Sequence, residues 1–478
     1  MIASRRRSAR RAGATILKFG GTSVADAQSQ QRVAGLVARA HRDTQPVVVV
    51  SALAGVTDAL LSAADAAVTG DLASMRPGLD GLIERHAEIA VQLACPKDAA
   101  ELESELGRAR HEIDVLLDRI TREPGWRAAL RDEIASYGER LSAALLTAVL
   151  AAKELRARYV DARRCLVTDR THGRAIPLFP LTEQQTRREV APLLDDGVVP
   201  VLGGYIAATP DGFTTTLGRG GSDYTAALLG AALAATEIQI WTDVSGLLTA
   251  DPRVVPSART VPALSYAEAA ELAYFGAKVL HPSTIQPAMD HGIPVRICNS
   301  LAPEGPGTLV TANGDTHAGT VKAIAHKPGI TILQITSTRM AGAYGFLHRL
   351  FEVSARHRTV VDIVTTSEVS VSLTVEDLSS LSDIVAELRG LGTVAVESGR
   401  AIICVVGEGL RATPGIAGRV FATVSDINVS LISQGASPVN LTFVVDGARA
   451  CEAVRRLHDV FFDREVDLGA IASPQSSG

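Results

Sequence analysis

From Thr15 to about Ser300, short β-branched runs alternate with Ala/Leu-rich stretches whose apolar residues recur every three or four positions. Such alternation places helices on the faces of a largely parallel sheet. It predicts strands at Thr15–Phe19, Pro46–Leu53, Val199–Ala207, Glu237–Thr242 and Pro294–Cys298. Helices are expected at Ala25–Ala40, Thr57–Ala67, Ser142–Leu155 and Ser222–Ala235. Between Leu72 and Arg131 the chain is charge-rich, helical in spacing and free of strand signals, as suits a layer that caps or extends the sheet.

The alternation pauses at Pro303, Gly305, Pro306, Gly307, Asn313 and Gly314, which marks a domain boundary. Beyond it, a shift of 70 positions aligns Gly345 with Gly415, Arg349 with Arg419, Phe351 with Phe421, Ser367 with Ser437 and Val375 with Val445. The alternating run Val369–Val375 then falls on Val439–Val445. Identities at one fixed offset indicate a duplicated α+β unit, each copy reading strand, helix, strand, strand, helix, as in a ferredoxin-like fold. The expected organisation is a large α/β domain over 14–310 and two small domains over 320–398 and 399–470. Short tails, 1–13 and 471–478, flank them.

A chain of 478 residues has room for about three domains. Lys plus Arg number 47 against 52 Asp plus Glu, a net charge of −5 that gives no reason to expect nucleic acid as a partner. No window offers the roughly 18 apolar residues of a membrane span, so a soluble protein is expected. Cys95, Cys165, Cys298, Cys404 and Cys451 are dispersed and form no C-x-x-C pair, which favours a reducing compartment such as the cytoplasm over a disulfide framework or structural zinc. The Arg-rich start, Met1–Gly13, lacks the apolar segment of a secretory signal. It reads as a disordered tail, with a short organellar presequence or an anionic contact as alternatives.

Lysine occurs only six times, at 18, 97, 153, 278, 322 and 327, and two of these stand in glycine-containing motifs. Lys18-Phe-Gly-Gly-Thr-Ser-Val24 follows a strand and precedes a helix. Gly20 and Gly21 let backbone amides approach an anion and Lys18 adds a point charge, which suits a phosphate site. It is not a Walker A loop, since the chain contains no Gly-Lys pair. Thr216-Leu-Gly-Arg-Gly-Gly-Ser-Asp-Tyr-Thr225 sets Arg219 among three glycines, with Ser222 and Asp223 at a helix start. Asp223 reads either as a ligand-site residue or as the helix N-cap. In Trp241–Arg253, Thr242, Asp243 and Arg253 follow a strand end, where open parallel sheets bind ligands. Phe275-Gly-Ala-Lys-Val-Leu-His-Pro282 offers Lys278 as a second phosphate contact. In Ser136–Ser142, Glu139 follows a glycine at the start of an apolar helix, to meet an ammonium group or to complement the helix dipole. The G-x-G-x-x-A match at Gly407–Ala412 leaves too little chain for a dinucleotide fold, and no H-E-x-x-H or G-x-S-x-G occurs.

In this order, with Val49–Asp58, these motifs resemble those of aspartate kinases in the amino acid kinase family, over almost the whole chain after residue 14. The tail resembles the paired ACT regulatory domains of the single-function, lysine-sensitive class, in Met340–Phe351, Val361–Glu368 and Ile432–Ser437. The resemblance implies an amino acid kinase fold followed by two ferredoxin-like ACT domains. In that class the first ACT unit is inserted into the second, so residues near Val321–Ile324 are expected to pair with the last unit.

It further implies transfer of the ATP γ-phosphoryl group to the β-carboxylate of L-aspartate, giving 4-phospho-L-aspartate for lysine, threonine, methionine or a specialised product such as ectoine. Lys18 would stabilise the moving phosphoryl group and Asp223 would orient the reacting centre. Arg219 would hold the α-carboxylate and Glu139 the ammonium, with Thr57 and Ser222 beside them. Gly20, Gly21, Thr242, Asp243, Arg253 and Lys278 would bind ATP, with Mg²⁺ bridging its phosphates and no dedicated protein metal site. Met340, Gly345, Val361, Asp362, Ser367 and Glu368 would form the effector site for lysine or threonine, and the ACT domains would pair copies into a dimer or tetramer.

The chemistry agrees with this expectation. A carboxylate acceptor has a pKa near about 4, so it is ionised at neutral pH and needs no general base. Four positions depart from the pattern: His172 stands for an expected Phe, Leu248 for a Tyr, and Ala343 and Val360 for serines. The last two remove hydroxyls from the effector site and predict weakened or altered lysine inhibition. Another amino-acid or carbamate kinase is disfavoured by Glu139, Arg219 and the paired tail together. A catalytically silent sensor would lose Lys18 or Asp223, and both are present.

Overall fold

The computed structural model describes residues 13–276, 284–314, 320–340 and 344–463. Lys278, Ala343 and most of both expected tails lie outside them. The chain forms two compact units, one built from 1–247, 262–266 and 279–314, the other from 248–261, 267–278 and 315–478. The boundary expected near Pro303–Gly314 therefore needs amendment: 248–261 and 267–278 precede it in sequence but group with the second unit.

In the first unit the strands are β1 (Ala14–Phe19), β2 (Gln45–Val50), β3 (Ala157–Tyr159), β4 (Val199–Gly203), a hairpin of β5 (Ile206–Ala208) and β6 (Thr214–Thr216), β7 (Glu237–Thr242), β8 (Ala263–Ser265), β9 (Val295–Asn299) and β10 (Thr308–Thr311). All but the hairpin join one sheet in the order β3-β4-β2-β1-β7-β9-β10-β8. Only the β9–β10 pair is antiparallel. The predicted strand Val199–Ala207 is thus broken at Gly204 and Tyr205, and its second half turns into the hairpin.

The helices here are α1 (Ala27–Asp43), α2 (Val56–Thr69), α3 (Leu72–Leu93), α4 (Pro96–Arg122), α5 (Arg127–Ala151), α6 (Phe179–Asp195) and α7 (Gly221–Leu233). Of the short helices α8 (Tyr266–Tyr274) and α9 (Gln286–Asp290), α9 also belongs here, whereas α8, but for its first residue, belongs to the second unit. Helix α5 begins well before the expected Ser142 and is buried around most of its circumference, from Leu130 through Leu150. The charge-rich stretch before it forms α3 and α4. Helix α4 buries a stripe at three- and four-residue spacing, Leu102, Leu106, Ala109, Ile113, Leu117 and Ile120, and leaves its charges outside. That stripe belongs to the same core as Leu17, Phe19, Val48 and Val50 of the sheet and Ile134, Leu141 and Leu145 of α5.

The second unit holds one antiparallel sheet from β11 (Val321–Thr336), β12 (Val361–Thr366), β13 (Ser370–Val375), β14 (Thr393–Gly407), β15 (Val429–Gln434) and β16 (Asn440–Asp446), in the order β12-β13-β11-β14-β16-β15. Its helices are α10 (Phe346–Arg356), α11 (Leu381–Leu388), α12 (Ile416–Thr423) and α13 (Gly447–His458). The duplication is visible in equivalent parts: Gly345 and Gly415 both cap helices with left-handed backbone, φ 78° and 80°. Val321–Ile324 pair with the 405–407 end of β14, as expected of an inserted first copy. The expected division at 398/399 falls inside β14, a continuous strand, so the two copies share one sheet. Each copy keeps its own core: Leu333, Phe346, Leu350 and Leu373 in one, Ile324, Ile403, Phe443 and Val454 in the other.

Candidate active site

In open α/β sheets the ends of the strands and the loops beyond them are where ligands bind. Here a cavity of about 560 Å³ lies at that edge, lined by Lys18, Gly21, Ser51, Thr57, Asp58, Glu139, Gly173, Tyr205 and the run Gly218–Asp223. Lys18 lies inside β1, near the end of the strand expected over Thr15–Phe19, and its ammonium meets the Asp223 carboxylate at 2.7 Å. Asp223 lies in the first turn of α7, whose N-cap is Gly220 with φ 73° and no side-chain cap, so the capping alternative fails. Ser51 Oγ donates to Ser222 Oγ at 3.0 Å, joining the end of β2 to the same turn.

Glu139 is in the middle of α5, where a helix dipole offers it nothing, so the expectation of a helix-start position is corrected. Two turns of α5 press against the loop after β2: a Cβ at Gly138 would lie 2.8 Å from the Ala52 Cβ. Glu139 Oε1 accepts from Ala52 N and from Thr57 Oγ1, both at 3.3 Å, while Oε2 has no hydrogen-bond partner among the described residues. Burial pushes its carboxyl up to about 8, against the pull of these donors. Such a group gains most from a cation delivered to its open oxygen. Arg219 sits on the glycine loop at the rim and supplies a guanidinium suited to a carboxylate.

The expected nucleotide residues separate. Gly21 lines the cavity, and Gly20 N donates to Trp241 O at 3.2 Å, tying the loop after β1 to β7. Thr242 and Asp243 stand at the end of β7, where Thr242 Oγ1 donates to Asp243 Oδ1 at 3.1 Å. Arg253 belongs to the second unit and pairs there with Asp251 at 2.7 Å. Two lining residues escaped the sequence reading. Ser51 lay unremarked within Val49–Asp58, and Tyr205 adopts φ 68°, left-handed backbone that a tyrosine holds only under constraint. The one signal for Tyr205 was the Gly203-Gly204 pair before it.

A profile of the Amino acid kinase family matches residues 13–299 and one of the ACT domain matches residues 403–461. The lysine-sensitive aspartokinase 3 of Escherichia coli is 38% identical over 456 residues, covering 94% of this chain and 99% of that protein. This chain belongs to the aspartokinases of the amino acid kinase family. The crystal structure of E. coli aspartokinase III in complex with aspartate and ADP (R-state) superposes with a TM-score of 0.80 at 36% identity, over 94% of this chain and all of that one. The same enzyme in complex with lysine and aspartate (T-state) gives 0.80 at 37% identity, over 94% and 99%. The protein is thus an ATP-dependent kinase with ACT regulation.

The aspartokinase's expected effector residues all lie in the second unit, around β12 and its turn. Gly345 starts α10, Met340 packs against the first copy's core, and Val361 and Asp362 are on β12. Ser367 is in the β12–β13 turn, where its hydroxyl pairs with that of Ser370 at 2.7 Å, and Glu368 is exposed. Asp362 is already engaged: Lys327 Nζ donates to its Oδ1 at 3.0 Å and the Tyr274 hydroxyl at 2.7 Å, leaving Oδ2 without a partner among the described residues. Lys327 also pairs with Glu376 at 2.9 Å.

Proposed function

We propose that this aspartokinase transfers the γ-phosphoryl group of ATP to the β-carboxylate of L-aspartate, and that its product feeds the aspartate pathway toward lysine, threonine, methionine or a specialised product such as ectoine. The observation that carries the reaction is the cavity in which the Lys18–Asp223 pair, the Arg219 guanidinium and the open oxygen of Glu139 converge. Arg219 takes the α-carboxylate and Glu139 the ammonium, with Thr57, which donates to Glu139, and Ser222, which pairs with Ser51, beside them. This leaves the β-carboxylate directed to Lys18. Lys18 neutralises charge on the phosphoryl group as it moves, and Asp223 holds the ammonium in place for that task. The glycine loop Gly20–Gly21, with Thr242 and Asp243 at the end of β7, serves the nucleotide.

Mg²⁺ enters with the ATP phosphates. Among the described residues the one cluster of three metal-type side chains is His458, Asp459 and Asp463 in the second unit. We place the enzyme in the cytoplasm, where the buried thiols Cys165, Cys298 and Cys404 would stay reduced, and as a homodimer or homotetramer through its ACT domains.

The effector site would take a cationic amino acid at Asp362 and Glu368. Its affinity is weakened by Val360 and Ala343 in place of hydroxyls, and by the competing ammonium of Lys327 on Asp362. Purified protein with ATP, Mg²⁺, L-aspartate and hydroxylamine is expected to form aspartyl hydroxamate, with little suppression by L-lysine at submillimolar concentration. Absence of hydroxamate overturns the kinase assignment. Strong submillimolar inhibition leaves it standing and overturns the weakened effector site.

A further inference from the structure

Asp132 lies seven residues, about two helical turns, before Glu139 on α5, so the two acids share one face of that helix. Its side chain is almost wholly buried and fully engaged. Oδ1 accepts from Thr216 Oγ1 at 2.7 Å, while Oδ2 accepts from Gly173 N at 3.0 Å and from the His172 ring through Nδ1 at 2.9 Å. Burial raises the Asp132 carboxyl and these donors oppose the rise. The acceptor also selects the tautomer, because a carboxylate requires the proton on Nδ1.

One end of this network lines the substrate cavity and the other adjoins the run that does. Gly173 lines it with left-handed backbone, φ 81°, and packs so closely on Gly218 that a Cβ there would lie 3.2 Å from the Gly173 carbonyl oxygen. Thr216 opens the stretch that carries Gly218, Arg219, Ser222 and Asp223, and its carbonyl accepts from Ala175 N at 2.9 Å. The turn 172–175 and the Arg219 loop are therefore fastened together, with Asp132 as the shared acceptor.

We propose that His172 is a positioning residue for the amino-acid substrate, acting through Asp132 to hold the Gly173–Gly218 contact and so the place of the Arg219 guanidinium. The proposal rests on the assignment of aspartate to this cavity. A phenyl ring at 172 occupies similar space but donates nothing, leaving the buried Asp132 oxygen one donor short. Asparagine presents Nδ2 close to where histidine presents Nδ1.

The test compares steady-state hydroxamate kinetics of the parent, His172→Phe and His172→Asn in the full chain, with thermal melts to show that each is folded. His172→Phe is expected to raise KM for L-aspartate about tenfold, with kcat and KM for ATP changed by less than about twofold. His172→Asn is expected to recover most of that loss. Adding His172→Phe to Asp132→Asn is expected to cost nothing further, since the histidine acts through the acid. An unchanged aspartate KM in His172→Phe, equal impairment in His172→Asn, or matching losses in kcat and ATP affinity overturn the proposal while the kinase assignment stands. A parent without aspartate-dependent turnover overturns both.

Discussion

Glu139 shows how one residue type acquires two properties from its surroundings. Its carboxyl is raised from 4.5 to about 8 by burial, so the folded protein holds a proton there that the unfolded chain releases in that window. Folding stability is then highest below the unfolded value and falls as pH rises from about 4.5 to 8, by up to about 1.4 kcal/mol per unit. Urea unfolding at pH 5.5 and 8 is expected to show this loss in the parent and to show it largely removed in Glu139→Gln. An ammonium ligand needs the ionised form, so KM for aspartate should fall as pH rises toward 8, a trend that Glu139→Gln removes along with tight binding.

Lys18 is one half of an ion pair, its ammonium 2.7 Å from the Asp223 carboxylate. Lys18→Ala is expected to cut kcat about 10²–10³-fold while the thermal melt stays cooperative. Turnover near the parent rate removes Lys18 from its role. The residue types at both positions were legible in the sequence. Lys18 also falls in the strand expected over Thr15–Phe19, whereas Glu139 was read as a helix start and only packing shows it in mid-helix.

At the level of elements, the errors have a common cause. Periodicity placed a helix over Ser142–Leu155, yet it runs from Arg127 to Ala151, because α5 is buried on nearly all sides and so carries no clear apolar stripe. The strand expected to run from Val199 to Ala207 stops at Gly203, because α7 begins against it: a Cβ at Gly204 would lie 2.7 Å from that of Ser222. Close approach of two elements is a tertiary event, and glycine is its only local trace. Gly138 makes the same kind of contact between α5 and the loop after β2. Gly138→Ala is expected to destabilise the first unit by about 1–3 kcal/mol, read as a lowered melting temperature, and to weaken aspartate binding by displacing Glu139. A variant as stable as the parent would show that the loop gives way without cost.

For the molecule as a whole, the duplicated tail is one sheet with two cores, joined by β11 and β14, which each contribute to both. The two copies are therefore expected to unfold together. Leu373→Ala, in the first copy's core, should cost about 2–5 kcal/mol and should speed labelling of Cys404, a buried thiol on β14 that accepts from the Thr442 hydroxyl at 3.3 Å on the sheet face opposite Ile403 and Val405 of the second core. Labelling at the parent rate in a destabilised variant would mean that the copies open separately.

The sequence by itself determined the α/β class, the duplication and the charged residues Lys18, Glu139, Arg219 and Asp223 that line the cavity. Hydrophobic period, a fixed repeat offset and glycine-flanked charges are local properties that survive without coordinates. The tertiary structure alone decided which charges meet. Lys18 and Asp223, Asp132 and His172, and Lys327 and Asp362 are distant in sequence, and each pairing depends on how the elements pack. It also decided that 248–261 and 267–278 group with the second unit, and that the two copies share a continuous sheet. Backbone pairing between strands far apart in the chain leaves no periodicity to read, because hydrogen bonds between peptide groups carry no side-chain signature.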